Sequence, residues 1–248
     1  MSNNIDNPAG RLLNILLSAR GQKDNIAVKQ VWANVFGLKA DDTGSILFMV
    51  AELINLTKNT QEEIQKIEDI NHSIYLQPFK KIETAFAVAN LETNWASFKN
   101  HITQDTIVAL QFCSDTLSRR IGETEIPKED LDNLLKDIET LTSSIANATF
   151  SDDFKAFLID NLENIRKAIL TYRIRGANAL KKVFESSIGA ICLYQDQIQE
   201  EGKPKSNQKI LSKFFSIVSG LNSLVALALK TKELAGPIAK LLLGPPGE

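Results

Sequence analysis

The sequence predicts an all-α protein, a multi-helix bundle with a long antiparallel helical hairpin and an apolar C-terminal helix. Apolar residues recur at helical spacings of three and four along most of the 248 residues, and no β-type alternation persists beyond a few residues. Seven prolines and twelve glycines are few for a fold rich in strands and turns. A hydrophobic content of 44% with 23% charged residues is that of a globular chain and argues against disorder and against a multi-span membrane protein.

Residues 1–122 are predicted to form an N-terminal helical region. Asn7, followed by a proline, is typical of a helix start, and Gly21 ends this first helix. Gly37 supplies a left-handed end for a second helix. Asp41–Thr43 can cap the helix that follows.

The rest of this region carries three further helix signals. The pattern Thr60-Gln-Glu-Glu63 matches a capping box, in which hydroxyl and carboxylate satisfy each other's free backbone N–H groups, and it predicts a new helix start. Pro78 can open another helix. A last helix is predicted from about Thr103 to Arg120, and Gly122 closes it.

Residues 123–200 are predicted to contain the helical hairpin, with its two helices over roughly 127–188. The first helix begins with acidic residues, which suit the positive end of the helix dipole. Ser151 is a good N-cap for the second. An apolar stripe over 158–183 passes through Gly176, which either admits a closely packed partner helix or breaks the helix.

Residues 201–208 are polar and contain glycine and proline, and they are predicted to be a linker. Residues 209–248 form a predicted apolar C-terminal helical segment, and all four regions could make one domain. Within it, Phe214–Leu229 has no charge and lies between lysines. This run is somewhat shorter than the roughly 20 apolar residues of a membrane-spanning helix.

Three interpretations of the uncharged run remain open. It is a buried central helix of the bundle, a membrane-associating or inserting helix, or an exposed apolar face used in self-assembly. Small residues in it (Ser216, Ser219, Gly220 and Ser223) would allow close helix–helix contact in each setting. Membrane association would involve 209–243. The residues predicted to carry membrane association or self-assembly are Phe214, Phe215, Ile217, Val218, Leu221, Leu224, Val225 and Leu227.

Six basic residues lie within a stretch of the hairpin that contains no acid. On one continuous helix they would fan across about 200°, away from the apolar stripe. We call them the basic strip: Arg166, Lys167, Arg173, Arg175, Lys181 and Lys182. The strip is either a solvated face, partly neutralised by the acidic first helix, or a surface for an acidic protein, a phosphate ligand or nucleic acid. Nucleic-acid binding is weakly supported, because few aromatic residues interleave and the formal net charge is -2.

Residues that could support catalysis are few. The two histidines, His72 and His101, have no nearby cysteine or second histidine to complete a zinc site. Asp69 and His72 have the spacing of a di-metal bundle site, but no second pair accompanies them, which favours a solvated polar face. Cys113 and Cys192 lack CxxC spacing and are predicted to be buried free thiols in a reducing compartment. Phosphate-binding glycine motifs and the G-x-S-x-G nucleophile motif are absent from the sequence.

These observations predict a non-catalytic helical interaction or regulatory protein, which binds through the basic strip, self-assembles, or does both. Neither cofactor, metal nor small-molecule substrate is predicted. The alternative is a membrane-active effector, pore-forming or membrane-disrupting, with a sequestered C-terminal helix, as in the architecture of a bacterial toxin or defence protein. An enzyme with an unrecognised site is the third hypothesis. The polar N-terminus has no signal-peptide pattern, so a cytoplasmic location is expected, peripheral to or inserted in a membrane if the effector hypothesis holds.

Overall fold

The all-α class is confirmed by the computed structural model, which describes residues 5–87, 90–120 and 122–231. Strand structure in these residues is limited to β1 (Ile5–Asp6) and β2 (Glu123–Thr124). The described chain divides into two compact units. The N-terminal unit comprises 5–122 and 173–176, and the C-terminal unit comprises 123–172 and 177–231.

The N-terminal unit surrounds its own apolar core, in which Trp32 packs edge-on against the rings of Trp95 and Phe98, each at 5.4 Å between centroids. Neighbouring helices α1 and α7 pack together, and both α2 and α5 pack on α3. The helices of this unit are α1 (Pro8–Arg20), α2 (Val28–Phe36), α3 (Thr43–Gln65), α4 (His72–Tyr75), α5 (Gln77–Ala87), α6 (Trp95–Lys99) and α7 (Gln104–Ser118).

Three predicted helix ends in this unit are confirmed. The Asn7 side chain accepts a hydrogen bond from the backbone N–H of Gly10 at 2.9 Å, which satisfies a free donor at the start of α1. Gly37 ends α2 in the left-handed conformation, with φ of 70°. Asp42 caps α3 through a 3.0 Å hydrogen bond from the N–H of Ser45.

The capping box predicted at Thr60 is wrong. Helix α3 runs through this position without interruption, and the Thr60 hydroxyl donates to the carbonyl of Leu56 at 2.7 Å, one turn earlier. Thr60 is fully buried on the same side of α3 as Leu53 and Ile64. Burial of this face holds the helix together, so packing overrides the local start signal.

The C-terminal unit is a four-helix bundle. Its long helices α8, α9, α11 and α13 pack in a closed ring, each against the next and α13 against α8, around a shared apolar core. Packing of helices joined by short connections is typical of antiparallel neighbours. The helices of this part of the chain are α8 (Lys128–Ala146), α9 (Asp152–Leu170), α10 (Tyr172–Arg175), α11 (Ala177–Leu193), α12 (Gln195–Glu201) and α13 (Lys205–Leu229).

Two hydrogen bonds mark the opposite ends of this bundle. Near one end, the hydroxyl of Thr149, in the α8–α9 turn, donates to the side-chain carbonyl of Asn207 in the first turn of α13 at 3.0 Å. Near the other, the backbone N–H of Ile126, just before α8, donates to the Tyr172 hydroxyl at 2.9 Å. The predicted hairpin is therefore α8 with α9, and α13 runs antiparallel to α8.

Three expectations for this part of the chain need correction. The second helix of the hairpin does not continue to 188, because it ends at Leu170 and the chain turns through α10 to Gly176, whose φ is 69°. The linker predicted at 201–208 shrinks to residues 202–204, since α13 already begins at Lys205. Ser151 precedes α9 in extended backbone but makes no cap; its hydroxyl instead donates to the carboxylate of Glu201.

Candidate functional site

The basic strip does not lie on one helix. Its prediction assumed a continuous helix, and the left-handed glycine at 176 ends that continuity. The segment from residue 173 to 176 belongs to the N-terminal unit, whereas the neighbouring helices belong to the C-terminal unit. Two members of the strip lie on α9 (Arg166 and Lys167), two on α10 (Arg173 and Arg175) and two on α11 (Lys181 and Lys182).

Charges of the strip on α9 and α11 are partly neutralised by acids just outside it. Arg166 donates from Nε and Nη2 to the carboxylate of Glu163 at 2.7 and 2.9 Å, which lowers the pKa of Glu163 below its ordinary value. Lys167 lies 3.9 Å from the same carboxylate, and Lys181 lies 3.8 Å from that of Glu185. Pairs as exposed as these contribute little to stability, but they reduce the charge offered to a partner. Partner binding by the strip stays a prediction.

The two arginines of α10 are engaged within the N-terminal unit. Arg175 donates through Nη2 and Nε to the two carboxylate oxygens of Glu52 at 2.6 and 2.5 Å, and Glu52 is only 7% exposed. This bidentate pair raises the pKa of Arg175 above its ordinary value. Arg173 donates to the carbonyl of Val35 at 3.3 Å. These contacts give both arginines a structural role that sequence spacing did not indicate.

Between these arginines, Ile174 anchors the segment in the N-terminal core. Its side chain is 1% exposed, and its carbonyl accepts a 3.1 Å hydrogen bond from Nε of Arg11 in α1. We call residues 173–176 the anchor segment. The contacting residues lie more than a hundred positions away along the chain, so no sequence signal could have indicated them.

The inner face of α13 lies in the core of the C-terminal bundle, against α8 and α11. This placement fits the buried central helix among the three predicted interpretations. Leu227, in contrast, is 51% exposed. Of the eight residues predicted for membrane association or self-assembly, five are buried (Phe214, Ile217, Val218, Leu221 and Val225), two are half-buried (Phe215 and Leu224) and one is exposed (Leu227).

The opposite side of α13 is the outer face. It carries no acidic residue, and residues 205–231 as a whole contain none. Half-exposed Gly220 borders it, where an added Cβ would lie 3.6 Å from Leu134 of α8. The exposed residues of the outer face are Lys205, Lys209, Ser212, Lys213, Ser216, Ser219, Leu227 and Lys230, with Ser223 half-exposed among them.

Lysines of the outer face make no ion pair with the part of the chain that the structure describes. Among residues 5–87, 90–120 and 122–231, no carboxylate lies within 4 Å of the ammonium groups of Lys205, Lys209, Lys213 or Lys230, whereas Lys203 just before α13 pairs with Glu200 at 2.6 Å. Sequence reasoning missed Lys205 because it assigned that position to the linker. The four-residue spacing of the first three lysines was the available signal.

In the described part of the chain, α13 is the one helix long and apolar enough to cross a membrane by length and composition. In the most apolar 18-residue stretch of α13, 44% is buried within the protein. The rest of the predicted membrane segment, residues 232–243, and the tail to 248 lie outside the described residues.

Other predictions from the sequence concern metal-ligating side chains and the two thiols. Within the described ranges, no group of three or more His, Cys, Asp or Glu side chains could hold a metal ion. Cys113 is buried as predicted, and burial raises the pKa of its thiol to about 12. The prediction for Cys192 is wrong, because the end of α11 turns this thiol to solvent.

The outer face of α13 is a surface of the C-terminal unit whose lysines pair with no carboxylate of the described residues. Comparisons with protein-family models, with curated proteins and with solved structures found no match to this chain.

Proposed function

We propose that the protein is a non-catalytic helical interaction protein whose binding surface is the outer face of α13. The observation that carries this proposal is the charge pattern of that face. Lysines that pair with no carboxylate of the described residues flank an uncharged stretch, and residues 205–231 contain no acid. Exposed helix faces of soluble proteins usually intersperse charges of both signs. Solubility alone does not explain a face that carries lysines and no acids, so we infer that this face binds a partner.

The middle of the outer face is suited to close contact. Between Lys213 and Lys230 its exposed side chains are serines and a single leucine, so another helix or a flat surface can approach the backbone closely. Covering these residues buries no charge, so the desolvation penalty is limited to that of the serine hydroxyls, which a partner can offset with hydrogen bonds. Self-association and docking to another partner both fit this geometry.

A single acid in the middle of the face tests the proposal. Ser216→Glu adds a charge at an exposed position and leaves the buried side of α13 untouched. We expect the wild-type chain to self-associate in sedimentation velocity across a concentration series, or to float with lipid vesicles, and the variant to do neither. The matched control is Asn164→Glu, which adds the same charge at an exposed position of α9.

Two outcomes would contradict the proposal. One is a wild-type chain that stays monomeric at every concentration and also fails to float. The other is a Ser216→Glu variant that associates and floats as the wild type does.

A second function is favoured by the length and apolar composition of α13, which suffice to cross a membrane. In this case the protein is a membrane-active effector, and the bundle sequesters the apolar side of α13 until the helix inserts. The exposed position Ser219 lies near the middle of the uncharged run. An arginine near the bilayer centre costs about 2.5–3.5 kcal/mol on insertion scales.

Dye release from lipid vesicles tests this second function. Wild-type protein is expected to release the dye, and Ser219→Arg is expected to release far less while folding normally, because the arginine is solvated in the closed bundle. Vesicles that retain their dye with wild-type protein would eliminate the effector function.

A further inference from the structure

We infer that the outer face of α13 binds the surface of an anionic lipid bilayer, with the helix parallel to the surface and the bundle intact. The inference rests on the proposed function and names its partner. Helix α13 has 25 residues and is therefore roughly 37 Å long. Three exposed lysines lie on one side of its first half, and a fourth, Lys230, caps its far end. Cations along one side of a helix can all contact anionic headgroups at once when the helix lies parallel to the bilayer surface.

The lysine row at the start of α13 supplies most of the charge. Lys205, Lys209 and Lys213 follow one another at four-residue intervals, so they lie one above the other, about 6 Å apart along the helix axis. Lys230 adds a fourth charge at the far end. With no carboxylate near them in the described residues, their attraction is available to an external anion.

The chemistry of this face favours lipid over nucleic acid or an acidic protein. Helix α13 contains no arginine for bidentate phosphate recognition, and its aromatic rings, Phe214 and Phe215, are buried or half-buried rather than displayed for base stacking. Lysine ammonium groups on flexible stems suit the diffuse charge of a bilayer, and exposed Leu227 can enter the interface between headgroups and acyl chains.

The adjacent helix gives the bundle a preferred orientation on such a surface. Helix α8 packs beside α13 and displays two exposed lysines, Lys128 and Lys136, among five exposed acids, which leaves a net charge of -3 on this face. The acids are Glu129, Asp130, Asp132, Asp137 and Glu139. An anionic bilayer repels that face and attracts the lysines. The bundle therefore approaches with α13 toward the lipid and the acidic face of α8 turned away.

Flotation of the full chain with two kinds of vesicle tests the inference. One vesicle is phosphatidylcholine alone and the other contains phosphatidylserine as well. We expect binding to the anionic vesicle only, weakening as salt is raised. Each lysine near an anionic surface contributes about fivefold to binding, so Lys209→Gln with Lys213→Gln should weaken it by roughly 25-fold. The matched control, Lys181→Gln with Lys182→Gln on α11, removes the same charge and should keep most of the binding.

Three outcomes would overturn the inference. The wild type fails to float, it binds neutral and anionic vesicles equally, or the control variant loses as much binding as the variant of α13. Circular dichroism melts verify that both pairs of exposed substitutions leave the fold intact.

Sedimentation without vesicles separates this inference from the proposed function. If the chain self-associates through the outer face but does not float, the lipid partner is wrong and the interaction function stands. If it does neither, both fail.

Discussion

At the scale of single residues, Gly176 determines how the chain passes from α9 to α11. Its φ of 69° is in the left-handed region, where side chains other than glycine are strained. A Cβ atom there would also overlap the guanidinium group of Arg11, which holds the anchor segment through the carbonyl of Ile174. The two requirements are independent, and both favour glycine at this position.

We therefore expect Gly176→Ala to destabilise the protein by about 1–3 kcal/mol, because it combines backbone strain with displacement of Arg11. Urea unfolding followed by circular dichroism measures the change. Gly189→Ala is the control, for which we expect a change in stability of the opposite sign. Gly189 is inside α11 with open space around it, so alanine should stabilise the helix by about 0.5–1 kcal/mol. A Gly176→Ala variant as stable as the wild type would contradict the role of the left-handed turn.

The two thiols differ in environment and should differ in reactivity. Cys113 is buried, its Sγ lies 3.5 Å from the carbonyl oxygen of Tyr75, and its pKa is raised to about 12, so almost no thiolate forms near neutral pH. Cys192 is exposed. A thiol-specific chromogenic reagent at mildly alkaline pH should modify one thiol quickly in the native protein and the second only in denaturant. In Cys192→Ser the fast reaction should vanish; its persistence would show that Cys113 is accessible.

At the scale of helices and strands, α13 combines a core-forming side with a solvent-facing side, and two leucines on it separate these roles. Leu221 is fully buried in the bundle core, whereas Leu227 is exposed on the outer face. We expect Leu221→Ala to lower the free energy of unfolding by about 2–5 kcal/mol, because it loses apolar burial and leaves a cavity. Leu227→Ala should lower it by less than about 1 kcal/mol. Chemical denaturation of both variants measures the difference. Equal costs would mean that α13 is not a helix of the bundle core.

Local chemistry explains which helix ends could be predicted. Asn7, Gly37 and Asp42 act on backbone groups within four residues of themselves, so their signals are complete in the sequence. The capping box at Thr60 failed because apolar burial on both sides of it extends α3. At Gly176 the sequence left two interpretations open, and the deciding contact comes from Arg11, 165 residues earlier.

At the scale of the whole molecule, the chain builds two cores that are not simply consecutive in sequence. The N-terminal core recruits Ile174 from the anchor segment, 52 residues after Gly122, and the buried Glu52 there pairs with Arg175. Periodicity identified the apolar stripe that contains this region but could not assign its residues to a core. Both units can still be monitored separately, since the chain has two tryptophans, Trp32 and Trp95, and both are buried in the N-terminal unit.

This distribution of tryptophans gives a direct test of the anchor segment. Ile174→Ala should lower the free energy of unfolding of the N-terminal unit by about 2–4 kcal/mol, although the residue lies far outside the N-terminal stretch of sequence. The urea midpoint of the tryptophan fluorescence transition should fall accordingly. The control is Ile165→Ala, which removes an equally buried isoleucine from the bundle core on α9. It should shift the circular dichroism transition more than the fluorescence transition. If Ile174→Ala leaves the fluorescence midpoint unchanged while Ile165→Ala moves it, Ile174 does not belong to the N-terminal core, and the bidentate contact between Arg175 and Glu52 cannot be what holds the segment in place.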